Sequence, residues 1–310
     1  MAESLTNTRR RLIIRLPCRF ISTFVMAEAL ALGHADPSSG QYSWLAPIHD
    51  LLNKTLQGEL SEDEAAAALT NPAQWEDDDD LPLEDYTDLL FGVCLDKAMA
   101  IPPKHPCQER LLKVLRAIQS RPPPPGEHVD YWNSLPTFVA QLSEAFNAEG
   151  LLETTGDPLP WEKKMSVEQW RNIHSFLAAW YTSLPDEKQA SFGYYHKALL
   201  LLRHVLEEPR KLEALDQNLP AVATWMSGAG SQLYENCRRN QALDPRDATR
   251  LRHASNESEL YKGPDNWNED RWDFWMGRLR ELGEDENLEA EARQATQDAH
   301  RTMQQLKSQA

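Results

Sequence analysis

A chain of 310 residues, 41% hydrophobic and 26% charged, has a globular composition and the length to bury a sizeable core. Its formal net charge is −16, and five arginines fall within residues 1–25 against Glu3 alone, so the rest is more acidic still and disfavours DNA or RNA. No apolar run approaches the roughly 18 residues of a membrane span, and four cysteines without a C-x-x-C pair argue against a disulfide frame or a zinc site.

The first 40 residues differ from the rest. Thr8 to Arg19 is Arg-rich, and Phe20 to Val25 is apolar and β-branched. Residues 1–40 read as an N-terminal extension, disordered or targeting, with Met26 as an alternative start. A mitochondrial presequence is the targeting alternative, opposed by Glu3, Glu28 and Pro17. Residues 41–310 read as a single all-helical domain with a possible seam at 121–130, where Arg121-Pro-Pro-Pro-Pro-Gly126 makes a stiff spacer.

Ile48, Leu51, Leu52 and Leu56 predict an amphipathic helix closed by Gly58, and Ser61-Glu-Asp-Glu64 is a capping box opening the next. Asp77–Asp80 lack the alternating ligands and glycine turn of a calcium loop and read as a solvated loop. Pro82 and Pro106 mark two helix starts, with Tyr86, Leu89, Leu90, Val93 and Cys94 inward in the first. Leu111, Val114, Leu115 and Ile118 face inward in the second. Cys107, at that helix start, is weighed as a low-pKa nucleophile and set aside, since no base accompanies it.

The spacing predicts a helix over Leu135–Asn147 that buries Phe138, Val139, Leu142 and Phe146. Ser166-Val-Glu-Gln169 is a second capping box, followed by Trp170, Ile173, Leu177, Trp180 and Tyr181 on one stripe. Pro185 should end that helix. Phe192, Tyr195, Leu199, Leu202 and Leu206 then form a heptad-like seam. His204 with Glu208, and Arg203 with Glu207, read as surface charge pairs. Pro220 is taken to begin a helix whose Gly228 and Gly230 permit a close backbone crossing. The polar stretch Asp244–Pro264 reads as a loop. After it, Asn268 caps a helix carrying Trp272, Trp275, Leu279 and Leu282, and an Ala-rich helix through Met303 closes the chain.

The expected fold is therefore all-α: about ten amphipathic helices in antiparallel pairs forming one irregular bundle. No H-E-x-x-H, G-K-[ST] or G-x-S-x-G pattern occurs, so no catalytic, metal or cofactor residue is assigned, and no cofactor is expected. Two glycosylation sequons, at Asn53 and Asn256, are chance matches without a secretion signal. His174 borders the apolar stripe and is read first as a satisfied core histidine. The residues that would wall a pocket, if one exists, are His174, Trp170, Trp225, Arg271, Trp272 and Trp275.

Several segments in order resemble a fungal, all-helical family known only as a domain of unknown function. They are residues 58–66, Ile101 to Leu112, Trp170 to Phe176, Ala223 to Trp225 with Gly230, and Arg271 to Trp275 before the Ala-rich tail. The similarity spans about Ile48 to Leu306. It implies a helical fold and an ascomycete source, and it supplies no activity and no site residues. The functional expectation is a non-catalytic, cytoplasmic interaction or regulatory protein with a protein partner. Its rival is a small-molecule-binding protein or enzyme of specialised metabolism with a Trp-lined pocket.

Overall fold

The computed structural model describes residues 45–72, 82–142, 165–184, 195–242 and 260–310. Among these there is no strand. The α-helices are α1 (Leu45–Gln57), α2 (Glu62–Leu69), α3 (Leu83–Ala100), α4 (Pro106–Gln119), α5 (Val167–Ser183), α6 (Tyr195–Leu202), α7 (Leu212–Arg238), α8 (Glu269–Gly283) and α9 (Ala290–Gln309). No described helix is long and apolar enough to cross a membrane.

The predicted start signals act as such. Ser61 accepts from the Glu64 amide while Glu64 accepts from the Ser61 amide, and Ser166 and Gln169 repeat the arrangement at α5. Gly58 ends α1 with φ +83°, a left-handed turn that costs glycine no Cβ clash. Pro106 occupies the first turn of α4, behind His105, whose Nδ1 accepts from the Cys107 amide. Pro82 stands at the N-cap rather than in the first turn, so α3 begins one residue later than expected.

Helix ends are closed across the fold. The carbonyl of Leu56 takes Arg110, that of Leu69 takes Tyr86, and that of Met99 takes Asn172. Those of Ile101 and Ser183 take Gln108 and Arg116. Each donor satisfies a carbonyl that its own helix leaves open, and the two arginines also complement the negative helix end. Contacts across the bundle thus close the ends of α1, α2, α3 and α5.

Three expectations are corrected. Pro220 does not begin a helix but lies inside α7, as its ninth residue. A mid-helix proline costs about 3 kcal/mol. Burial of Leu215, Leu219, Val222, Trp225 and Leu233 on the same 27-residue helix outweighs it. The helix after Leu135 starts later, at Phe138, because a 3-10 turn over Trp132–Ser134 leads into left-handed Leu135 and Thr137. Pro136 disfavours helical geometry at Leu135. Val139 consequently faces solvent, 42% exposed. Finally, α6 runs into a π turn over Arg203–Glu207, which turns Arg203, His204 and Glu207 inward, all buried rather than on the surface. The expectations for Asp77–Asp80, Phe146, Pro185, Phe192 and most of Asp244–Pro264 lie outside the described residues.

The long helix α7 lies between α5 and α9, and its glycines set the approach on each side. A Cβ at Gly228 would sit 3.1 Å from the Cβ of Ala178 on α5; one at Gly230 would sit 2.8 Å from the Leu306 side chain on α9. The first contact is fixed to a backbone, the second to a side chain that can rotate. Gly277, within α8, has open space around the same position. Gly277→Ala should therefore stabilise the protein by roughly 0.5–1 kcal/mol through helix propensity. Gly228→Ala should destabilise it by about 1–3 kcal/mol as α5 and α7 are forced apart. Urea melts of the two variants check this; equal shifts of the same sign would refute the close crossing.

Candidate functional site

The six pocket candidates are all fully buried, and the fold places five of them in two polar clusters. The first joins α5 and α7. Trp225 Nε1 donates to His174 Nδ1 at 2.7 Å, and the Trp170 ring lies edge-on to the imidazole with centroids 4.4 Å apart. Trp170 Nε1 in turn donates to Asn218 Oδ1 at 3.1 Å, while Asn218 donates to the Ala214 carbonyl. An indole N–H pointing at Nδ1 requires a lone pair there, so His174 is neutral with its proton on Nε2. Burial first, and the Lys197 charge second, push its pKa down to about 3. A base so weak stays neutral through physiological pH and serves as a structural acceptor.

The second cluster is organised by Glu207, which sequence reasoning placed on the surface. Its side chain is wholly buried. Trp275 Nε1 donates to Oε1 at 2.8 Å, and Arg271 Nη2 to Oε2 at 3.4 Å. Arg271 Nε is also 2.8 Å from Oε1 but off the line of its N–H, so that contact is ionic rather than an aligned hydrogen bond. Arg271 Nη1 donates to the Asn266 carbonyl, and the guanidinium lies 4.6 Å over the Tyr261 ring. Tyr261 and the Arg271 amide both donate to Asn268 Oδ1, so the N-cap of α8 and the ion pair form one unit. The Glu207 carbonyl accepts from the Leu260 amide, joining the π turn to the segment before α8.

Trp272 belongs to neither cluster; its ring packs on Tyr234, with centroids 4.9 Å apart. Two further polar groups went unnoticed in the sequence. Lys97 of α3 is buried, donates to Asn53 Oδ1 of α1 at 2.7 Å, and is pushed down to about 8, chiefly by burial. His49, one turn before Asn53, is held to about 4 by burial and then by the Lys97 charge. Asn53 is thus an interior acceptor. Cys107 is not activated: burial outweighs Arg110 and raises its thiol pKa. Among the described residues, no group of three or more His, Cys, Asp or Glu side chains gathers as a metal site would.

The signal that could have found Glu207 is a donor count. Ten tryptophans bring ten indole donors that need acceptors once buried. A carboxylate directly after the seam residue Leu206 was a placed acceptor.

A family model described as "Protein of unknown function (DUF3632)" matches residues 91–279, more than half of the chain. That range runs from Phe91 in α3 to Leu279 in α8 and contains both clusters, but neither the 58–66 segment nor the Ala-rich tail. No curated protein and no solved structure matches.

The depressed histidines give a pH signature. Between the unfolded value near 6.5 and the folded values of about 3 for His174 and about 4 for His49, the unfolded chain binds more protons. Their full contribution is therefore present above about pH 6.5 and is lost as pH falls toward those values. Each histidine adds a slope of at most about 1.4 kcal/mol per pH unit within its window. Urea unfolding at pH 7, 6 and 5 should show stability falling toward acid, and His174→Gln should fall less steeply than wild type. Identical slopes would refute a buried neutral His174.

Proposed function

The chain belongs to the DUF3632 family of proteins of unknown function, and from that premise we propose a non-catalytic helical interaction protein that meets a protein partner through its acidic surface. The observation that carries this reading is where the pocket candidates direct their polar groups. Trp225 is committed to His174, Trp170 to Asn218, and Arg271 and Trp275 to Glu207. Ligand and catalytic sites direct such groups at a cavity where a substrate atom can meet them. Here the same groups hold helices to one another. The net charge supports a partner with a basic face, and rising salt should weaken that association. Free, scattered cysteines support the cytoplasm as its compartment, the mitochondrion being the alternative if residues 1–25 act as a presequence.

The rival is a small-molecule-binding protein or enzyme with a Trp-lined pocket. In the interaction reading, Trp272→Ala and Trp275→Ala each remove a buried ring and cost about 3–5 kcal/mol. Trp275→Ala should lie at the upper end, because it also deprives the buried Glu207 of a donor. Chemical melts, with native mass spectrometry of the purified full chain, check both readings. Two variants as stable as wild type that lose a co-purifying small molecule would establish the pocket instead.

A further inference from the structure

Arg203 is a buried cation whose guanidinium makes no aligned hydrogen bond to its two carboxylate neighbours. It is 4% exposed, and its guanidinium offers five N–H donors. Its contacts are Glu207 Oε2, 3.7 Å from Nε, and Asp265 Oδ1, 3.3 Å from Nη1. Neither is aligned as a hydrogen bond, and Nε is buried without a hydrogen-bond partner. Burying Nε in this state is costly, because its hydrogen bond to water is lost and not replaced. Glu207 cannot serve it fully, being already engaged by Arg271 and Trp275.

Asp265 is the other half of the observation. Its side chain is 66% exposed, yet its Oδ1 lies 3.3 Å from Arg203 Nη1 and 3.9 Å from Arg271 Nη2. One carboxylate thus spans two guanidiniums at the edge of the core without the paired, parallel bonds that arginine and carboxylate form at their best. The arginine ends are buried and the Asp265 end is exposed, so Asp265 turning into water leaves Arg203 short of a counter-charge that a second carboxylate can supply.

We propose that Arg203 and Arg271 form a carboxylate-binding site in which Asp265 is a resident stand-in, displaced when the carboxylate of a ligand takes its place. With Asp265 turned out, two guanidiniums face Glu207 and leave one net positive charge, which a monoanionic carboxylate neutralises. A phosphate dianion would overshoot and set excess negative charge beside buried Glu207. Carboxylate is accordingly the preferred class, borne by a free small molecule or by the C-terminus of a peptide. The site goes beyond the interaction reading and does not rest on it.

The test uses the full chain and its Asp265→Ala variant, melted in sodium acetate and in sodium chloride at equal ionic strength, with phosphate in parallel. Asp265→Ala should melt lower than wild type in chloride and recover in acetate. Half-recovery should need at least about fivefold less acetate than the smaller wild-type response, because the resident carboxylate no longer competes. Adding Arg203→Gln to Asp265→Ala should abolish the recovery. Where that double variant does not fold, the Nε–H nuclear magnetic resonance signal of Arg203 in Asp265→Ala should move with acetate and not with chloride. A blocked tripeptide with a free C-terminal carboxylate, against its amide, separates the sources: tighter binding than acetate assigns the site to a peptide, and equal binding to a small molecule. Equal melting of Asp265→Ala in acetate and chloride, or an equal response to phosphate, would overturn the proposal.

Discussion

A carboxylate with no solvent exposure constrains much of the second half of this fold. Glu207 must keep its charge compensated, and its partners are Arg271 and Trp275 from distant α8 and Arg203 from its own turn. Loss of one partner from such a group leaves an uncompensated charge in a poorly solvating interior, which is worth several kcal/mol. The π turn that brings Glu207 inward, the N-cap of α8 at Asn268 and the ring of Tyr261 are therefore parts of one arrangement. None could shift without disturbing the ion pair.

Around that arrangement the helices hold one another in two ways. Apolar stripes give the bulk of the burial, with α7 covered by α5 and α9 and approached closely at Gly228 and Gly230. Polar side chains then finish what the stripes begin, as Arg110, Tyr86, Asn172, Gln108 and Arg116 close helix ends that are not their own. Carbonyl capping is directional where hydrophobic burial is not, so these bonds favour one packing of the stripes over others.

For function, the consequence is a separation of roles. The residues richest in chemistry are engaged in stability: an imidazole held neutral as an acceptor for Trp225, and a guanidinium shared between Glu207 and Tyr261. On the readings proposed above, recognition falls to the periphery, where charge is plentiful, and to the edge of the core where Arg203 and Arg271 meet Asp265. Membership of a family of unknown function leaves these physical features as the basis for assigning a role.

What the sequence determined by itself is local. Apolar spacing marked the helices, the Ser61 and Ser166 boxes and Asn268 marked three starts, and the two glycines of α7 announced a close approach. Such signals are legible because the interacting atoms lie within a few residues of each other. The tertiary structure decided which polar residues lie inside and which local rule is overridden. Pro220 is a start signal by its own chemistry, yet packing on both sides of α7 carries the helix through it. Arg203 and Glu207, four apart, look like a surface pair until the π turn rotates them inward. His174 and Arg271 stood out as candidates, but their partners, Trp225 and Glu207, lie 51 and 64 residues away along the chain. Whether a buried polar group is a site or a strut depends on what meets it, and that is settled only when distant helices pack.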